Sequence, residues 1–444
     1  MKSDINIEKF IEHYSMQLLS PDKLRQSVSH DARLLKDTTK YSPFSSALHS
    51  GLPGIIFLAN EVHKQGILRD NSNHIDDYIQ LLLDNVKSDP VYDVSLFGGI
   101  PGVGTSLICL DREDLSSVIR QLNTTLFSLL DIFLERQEQE IGSPTKSQNF
   151  DLMYGLSGTL SYLLLCYKSK LLNEDKGKVI EYIKKIENSL VKRYKHSILV
   201  DNNSIPAWYI SSKNQMSKED IIKYPHGNFN ISMSHGISGM TIVLLNSLSL
   251  GIVQPGVKDL LRKCVSFIES STQEVKGILN FPLMVPVNEK LRRTTVKSDV
   301  RFDSWCYGAP GILLSLYKYA SLINDSSLLE TCIKNFNYIN DRPMGLASPS
   351  ICHGYAGLIS IIHFASESVP SIHDVNQKLY SNLFQFYTPK LKLGFCNQEF
   401  LDSKHSVYFP DAGILTGVSG IILALISAKY GCKSGWTKVF NIEF

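Results

Sequence analysis

The eight cysteines of this 444-residue chain include no Cys-x-x-Cys pair, which removes zinc-finger and thioredoxin-type readings. Charge of one sign is scarce too. Lys and Arg number 45 against 43 Asp and Glu, a formal net charge of +2 with pI near 8.0, so electrostatics makes no case for nucleic acid or an anionic membrane. Long uninterrupted apolar runs are missing as well. The most apolar stretches are 237–253, which holds Asn246 and several serines, and 414–428, which holds Gly417 and Gly420. Both read as buried helices rather than membrane spans. Residues 1–10 carry charges and no long apolar core, unlike a secretory signal. The expectation is a soluble, cytoplasmic chain whose thiols stay reduced.

What the chain does have is a repeated glycine motif. Gly51-Leu-Pro-Gly54, Gly99-Ile-Pro-Gly102, Gly155-Leu-Ser-Gly158, Gly236-Ile-Ser-Gly239, Gly308-Ala-Pro-Gly311, Gly354-Tyr-Ala-Gly357 and Gly417-Val-Ser-Gly420 share one form. An apolar run follows each, such as Ile55-Ile56-Phe57-Leu58-Ala59. Proline and serine at the third position suit a helix start, where orphan N–H groups need a cap or no donor. Each motif is therefore a turn that opens an apolar helix, its glycines permitting close backbone approach. Between motifs lie amphipathic helices. Across 114–136, Leu115, Val118, Ile119, Leu122, Leu126, Leu129 and Phe133 follow helical spacing, with Arg120, Gln121, Asn123 and Asp131 on the other face.

Helices apolar all round must be enclosed. Seven inner helices ringed by seven outer ones would enclose them, whereas an open solenoid would want polar end caps that 414–428 does not supply. The expected fold is all-α, an α/α toroid formed by residues 1–444 as one domain. Two longer gaps between motifs contain β-leaning text, Ser197-Ile-Leu-Val200 before Asp201-Asn-Asn203 and the run 277–285. These insertions, about 196–230 and 272–300, read as a small strand-containing lobe able to hold an extended peptide by strand addition; two ordered surface loops are the alternative.

Offset from the glycines gathers the chemistry. Cys306 and Cys352 each stand two residues before their motif's first glycine, in neighbouring repeats. His235, His353, Tyr154 and Tyr307 each stand one before it, and Asp151 four before. Two thiols and an imidazole suit Zn²⁺ and leave a fourth position open, as catalytic sites do. A structural metal and unligated cysteines stay open as alternatives. His235 has the readings of fourth ligand, general acid/base or packed polar side chain. Asp151 has that of a helix-start cap, and Arg301, just upstream of Cys306, that of a surface ion pair. Cys109 and Cys166 read as core filler.

The text Asp151-Leu-Met-Tyr-Gly-Leu-Ser-Gly, Ser234-His235-Gly236, Trp305-Cys306-Tyr307-Gly308-Ala-Pro-Gly and Cys352-His353-Gly354-Tyr-Ala-Gly resembles the lantibiotic cyclases, the lanthionine synthetase C-like family. Asn214-Gln215-Met216-Ser217 followed by Tyr224-Pro225 is similar to its nisin-type members. The resemblance spans Gly51 to Gly420 and implies the toroid fold with a small extension. It also implies addition of peptide cysteine thiols to dehydroalanine or dehydrobutyrine, giving lanthionine and methyllanthionine rings. One Zn²⁺ per chain would be held by Cys306, Cys352 and His353, with His235 as acid/base, Asp151 orienting it and Tyr307 donating a hydrogen bond. Arg301 lies five residues before Cys306, where family members place an arginine four before. The implied partners are a leader-bearing precursor peptide, a dehydratase and an export transporter in a membrane-associated complex, which would hold the chain peripherally at the inner face of the membrane. A thiol transferase or a non-cyclising zinc- or glutathione-binding protein of the same fold is the alternative.

Overall fold

The computed structural model describes residues 5–37, 39, 41–68, 74–287, 301–400 and 406–443. Every glycine motif opens a helix: Leu52–Gln65, Ile100–Ile108, Leu156–Lys168, Ile237–Ser249, Ala309–Ile323, Tyr355–Ser368 and Val418–Tyr430. These inner helices are buried along nearly all of their first turns.

The glycines are required by proximity rather than by turn conformation. A side chain at the first glycine would run into the carbonyl oxygen six residues earlier: Ser45 at Gly51, Asp93 at Gly99, Asn230 at Gly236, Phe302 at Gly308, Ser348 at Gly354 and Asp411 at Gly417. The second glycine repeats this relation. Gly158 meets the carbonyl of Leu152, Gly239 that of Met233, Gly311 that of Trp305, Gly357 that of Ile351 and Gly420 that of Ile414. Among the motif glycines, Gly308 alone also lies at positive φ, +134°, where L side chains are strained. The loop ahead of each helix is thus folded back flat upon the helix start. A shared hydrogen bond closes it, from the N–H after the first glycine to the carbonyl seven residues earlier: Leu52 to Ser45, Ile100 to Asp93, Ile237 to Asn230, Ala309 to Phe302, Tyr355 to Ser348 and Val418 to Asp411.

The chain forms two compact units. One comprises Met1–Val91, Thr105–Leu110 and Ile339–Phe444. In it the sixth, seventh and first inner helices pack in that order, and the N-terminal helix Ile7–Leu18 lies against the seventh and first. Phe10 anchors that helix among Tyr14, Phe384, Tyr387 and Phe395, with ring centroids 4.4–5.9 Å apart. The other unit comprises Tyr92–Gly104 and Asp111–Tyr338. In it the third, fourth and fifth inner helices pack in order, flanked by the outer helices Ser116–Gln139, Lys176–Tyr194 and Val257–Ser270.

The stripe expected on the first of these outer helices needs one correction. Ile119, Leu122 and Leu126 are buried as the spacing implies, but so are Asn123, Phe127 and Leu130, while Leu129 and Phe133 are half-buried. Asn123 faces inward because its Oδ1 accepts the Tyr162 hydroxyl at 2.7 Å. One satisfied amide thereby shifts the buried stripe.

The longer gaps do contain strands. Ser197–Val200 pairs with Asn203–Pro206 across a turn with Asp201 and Asn202 at positive φ, as hairpins require. Gln273–Val275 pairs with Ile278–Asn280, and Tyr209–Ile210, Asn228–Phe229 and Val285–Pro286 form a small three-stranded sheet. Residues 288–300 of the expected lobe lie outside the described residues. A further hairpin, Asn397–Phe400 with Ser406–Phe409, had no clear signal in the text. Among the described residues no helix is long and apolar enough to cross a membrane.

Gly311→Ala should test the close-approach reading, because its Cβ would collide with the Trp305 carbonyl and lie 2.8 Å from Met233 Cβ. We expect a loss of about 1–3 kcal/mol, read as a lowered Tm. Gly177→Ala, in the outer helix Lys176–Tyr194 with open space around it, should instead raise stability by about 0.5–1 kcal/mol.

Candidate active site and metal centre

Neighbouring loops are joined by backbone hydrogen bonds from N–H groups two or three residues before the first glycine, the stretch in which the cysteines stand. In one unit, Phe97 donates to Met153, Leu152 to Ser234, and Met233 and Ser234 both to Cys306, at 3.1–3.2 Å. The Ser234 hydroxyl adds a second donor to the Cys306 carbonyl at 3.2 Å. In the other unit Cys352 donates to Leu415 and Leu415 to His49, at 3.0 and 3.1 Å. Cys306 and Cys352 are therefore held through their own main chains.

His235 follows Ser234, so the same bonds set it beside Cys306. Its Nδ1 lies 2.7 Å from Oδ2 of Asp151, a fully buried carboxylate. A carboxylate only accepts, so Nδ1 carries the proton and Nε2 is left as the working nitrogen. The His235 side chain is 15% exposed and lies between two phenols. The Tyr154 ring stacks at 5.7 Å and that of Tyr307 lies at 6.1 Å.

Asp151 shows how the loop became a site. Four residues before the first glycine, several loops carry a serine whose hydroxyl accepts the N–H just before that glycine: Ser95 from Gly98, Ser232 from His235 and Ser350 from His353. Asp151 occupies the same place. Its Oδ1 accepts the N–H groups of Tyr154 and Gly155 at 2.6 and 2.8 Å. The longer, two-oxygen side chain leaves Oδ2 for His235. The cap reading and the functional reading both hold, one for each oxygen. Three hydrogen bonds offset the cost of burying this charge.

Tyr307 is fixed by Asn230, whose Nδ2 lies 3.2 Å from the phenol oxygen. Burial pushes that phenol well above its usual range, so it stays a donor. Asn230 was not singled out from the text; the available signal was its position six before Gly236, where Asp93, Ser348 and Asp411 also stand. Arg301 is buried rather than superficial. Its guanidinium reaches Asp303 Oδ2 at 2.8 and 3.1 Å and lies 4.8 Å from the Tyr338 ring centroid.

A ligand atom of each of Cys306, Cys352 and His353 lies within 4.8 Å of the other two, a grouping that could hold a metal ion. The donor set fits one. Two sulfurs and an imidazole suit a borderline-soft cation, and burial pushes the His353 imidazole below its usual range, favouring the neutral ligand form. The Cys352-His353 pair sits in a turn, which lets adjacent residues serve one ion. By contrast, burial pushes the thiols of Cys264 and Cys332 up to about 12, leaving them inert. No disulfide joins any of the eight cysteines.

Helices opened by folded-back glycine loops, with Cys, Cys-His and a His–Asp pair at set offsets, place the chain in a known class. It belongs to the lanthionine synthetase C-like family, whose sequence model matches residues 42–441. The chain is 27% identical over 405 residues to the nisin biosynthesis protein NisC of Lactococcus lactis subsp. lactis, covering 90% of this chain and 89% of that protein. Among solved structures it is similar to nisin cyclase, with a TM-score of 0.69, 24% identity, and coverage of 95% of this chain and 98% of that one. The likeness shows the fold, an α/α toroid.

Asp151→Ser should separate the two jobs of this residue. The serine restores the cap seen in the sibling loops, so Tm should stay within a few degrees of wild type. The ring nitrogen shifts of His235 should lose the single Nδ1–H tautomer, and turnover should fall about 10²-fold or more. A collapsed Tm would show that capping is the dominant role.

Proposed function

We propose that this chain is a lantibiotic cyclase. It adds cysteine thiols of a dehydrated, leader-bearing precursor peptide to dehydroalanine and dehydrobutyrine, forming lanthionine and methyllanthionine rings. The observation that carries this reading is the grouping of two cysteine sulfurs with one histidine nitrogen, in a chain of the lanthionine synthetase C-like family. Cys306, Cys352 and His353 would hold one zinc ion, three protein ligands leaving room for substrate. When bound, zinc lowers the pKa of a substrate thiol and presents it as thiolate, with two thiolate ligands moderating the metal's Lewis acidity.

The protons are handled by the chain itself. His235, with Nδ1–H given to Asp151, offers Nε2 to take the thiol proton. The sulfur then forms a bond to the β-carbon of the dehydro residue, and the alkene π pair moves onto the α-carbon and its carbonyl as an enolate. The imidazolium, its charge balanced by Asp151, returns the proton to the α-carbon. One S–H and one C=C become one S–C and one C–H, with no change in mass. Tyr307 donates a hydrogen bond beside His235. Arg301 stays a candidate to balance the enolate charge, and its ion pair with Asp303 also braces the segment leading into Cys306. A dehydratase must prepare this substrate and a transporter must export the product, in keeping with a complex at the inner face of the membrane.

Cys306→Ala and Cys352→Ala should reduce zinc, measured by elemental mass spectrometry, from one per chain to background and abolish ring formation. Retention of stoichiometric zinc by both variants would falsify the ligand assignment. His235→Ala should keep zinc and lose about 10²–10⁴-fold in turnover. Ring formation is read as protection of the peptide's thiols from alkylation at unchanged peptide mass.

A further inference from the structure

The side chain six residues before a first glycine has a recurring structural task. It accepts the N–H two residues on, closing the turn that enters the loop. Asp93 accepts Ser95 at 2.6 Å, Ser348 accepts Ser350 at 3.2 Å and Asp411 accepts Gly413 at 2.7 Å. Asn230, which is buried, does the same in the fourth loop, its Oδ1 accepting the Ser232 N–H at 3.0 Å. That bond fixes which way the amide faces, because only its oxygen can accept. Nδ2 is therefore turned toward the Tyr307 hydroxyl, 3.2 Å away.

The consequence is one of polarity. An amide N–H can only donate, so it takes a lone pair of the phenol oxygen and leaves the phenol's own proton unspent. Among the described residues the Tyr307 hydroxyl has no other hydrogen bond. The seventh loop shows the opposite case. There the far oxygen of Asp411 draws a hydroxyl toward itself, that of Thr416 at 2.6 Å. An aspartate at position 230 would close the turn equally well but would claim the phenol's proton. The turn is indifferent between the two residues; the phenol is not. The ring so fixed is the one that lies 6.1 Å from the His235 imidazole.

We propose that Asn230 is a positioning residue for cyclisation. By donating to Tyr307 it turns the phenol O–H toward the carbonyl oxygen of the dehydro residue, where negative charge gathers as the enolate forms. A donor aimed there acts most strongly in the transition state. A phenol whose oxygen already accepts a hydrogen bond is also a stronger donor through its own O–H. Tyr307 keeps its proton throughout; the one added to the α-carbon still comes from His235. This rests on the cyclase reading, and the test keeps the two apart by observing the phenol without turnover.

Asn230→Asp keeps the turn, as Asp93 and Asp411 do, and reverses the hydrogen bond to the phenol. Asn230→Ser keeps the turn, as Ser348 does, and removes the donor. Ring formation is followed on a peptide with one dehydroalanine and one cysteine. We expect kcat to fall about 10²-fold in Tyr307→Phe and in Asn230→Asp, and about tenfold in Asn230→Ser, at little change in KM, zinc content or Tm. Asn230→Asp combined with Tyr307→Phe should be no slower than Tyr307→Phe alone, because the amide acts only through the phenol. The second readout is the Raman Fermi doublet of tyrosine, which reports whether a phenol oxygen accepts or donates. Subtracting the Tyr307→Phe spectrum isolates Tyr307, and its doublet should move toward the donor form in Asn230→Asp. An unmoved doublet would overturn the proposal. So would a further loss when Asn230→Asp is added to Tyr307→Phe, which would assign the effect to the buried charge. Wild-type turnover in Asn230→Ser would overturn it equally, whatever the fate of the aspartate variant. A wild-type protein that forms no ring would sink the cyclase reading, while the doublet would still decide which way the hydroxyl faces.

Discussion

Each reactive group here is placed by main chain pressed against main chain. At six of the seven motifs a carbonyl six residues upstream fills the space a side chain would need at the first glycine, and at five of the seven the second glycine repeats the relation one turn later. The loop ahead of the helix can then lie only one way. Because that loop carries the reactive residues one to four positions before the glycine, their Cα positions follow from backbone packing. The hydrogen bonds of Met233 and Ser234 to the Cys306 carbonyl extend the same rigidity from one loop to the next. Such rigidity matters for catalysis, where small misplacements of reacting groups cost large factors in rate.

Upon that common frame the repeats differ by single side chains. A loop needs an acceptor four residues before its glycine, and serine suffices at Ser95, Ser232 and Ser350. Aspartate at 151 does the same work with one oxygen and presents the other to His235. A structural position has thereby gained a chemical role without disturbing the loop. Cys306 and Cys352 at one offset, and His235, Tyr307 and His353 at the next, extend the pattern. The frame is repeated and the chemistry is not.

Much of this is legible in the sequence. The seven motif-opened helices followed from glycine register and apolar runs, and a strand-containing insertion after residue 196 from β-leaning text and a turn signal. The buried face of Ser116–Gln139 was legible only in part, since hydropathy counted Asn123 as a solvent residue. Its Tyr162 partner lies on another helix, and no local pattern encodes it. The burial of Arg301 was hidden for a related reason, because an arginine beside an aspartate reads the same on a surface as in an interior. Asn230 escaped notice because asparagine in a loop is unremarkable until the phenol it holds is known.

The sequence by itself determined which residues share an offset from a glycine, and so which could take part in one site. Offset is local information, set by the geometry of one loop and the helix it opens. Tertiary structure alone decided which side chains meet. Asp151 and His235 are 84 residues apart, and ligand atoms of Cys306, Cys352 and His353 come within 4.8 Å of one another. The first of these meetings arises from the hydrogen bond of Leu152 to Ser234 between the two loops, an interaction between segments that are silent about each other in the text.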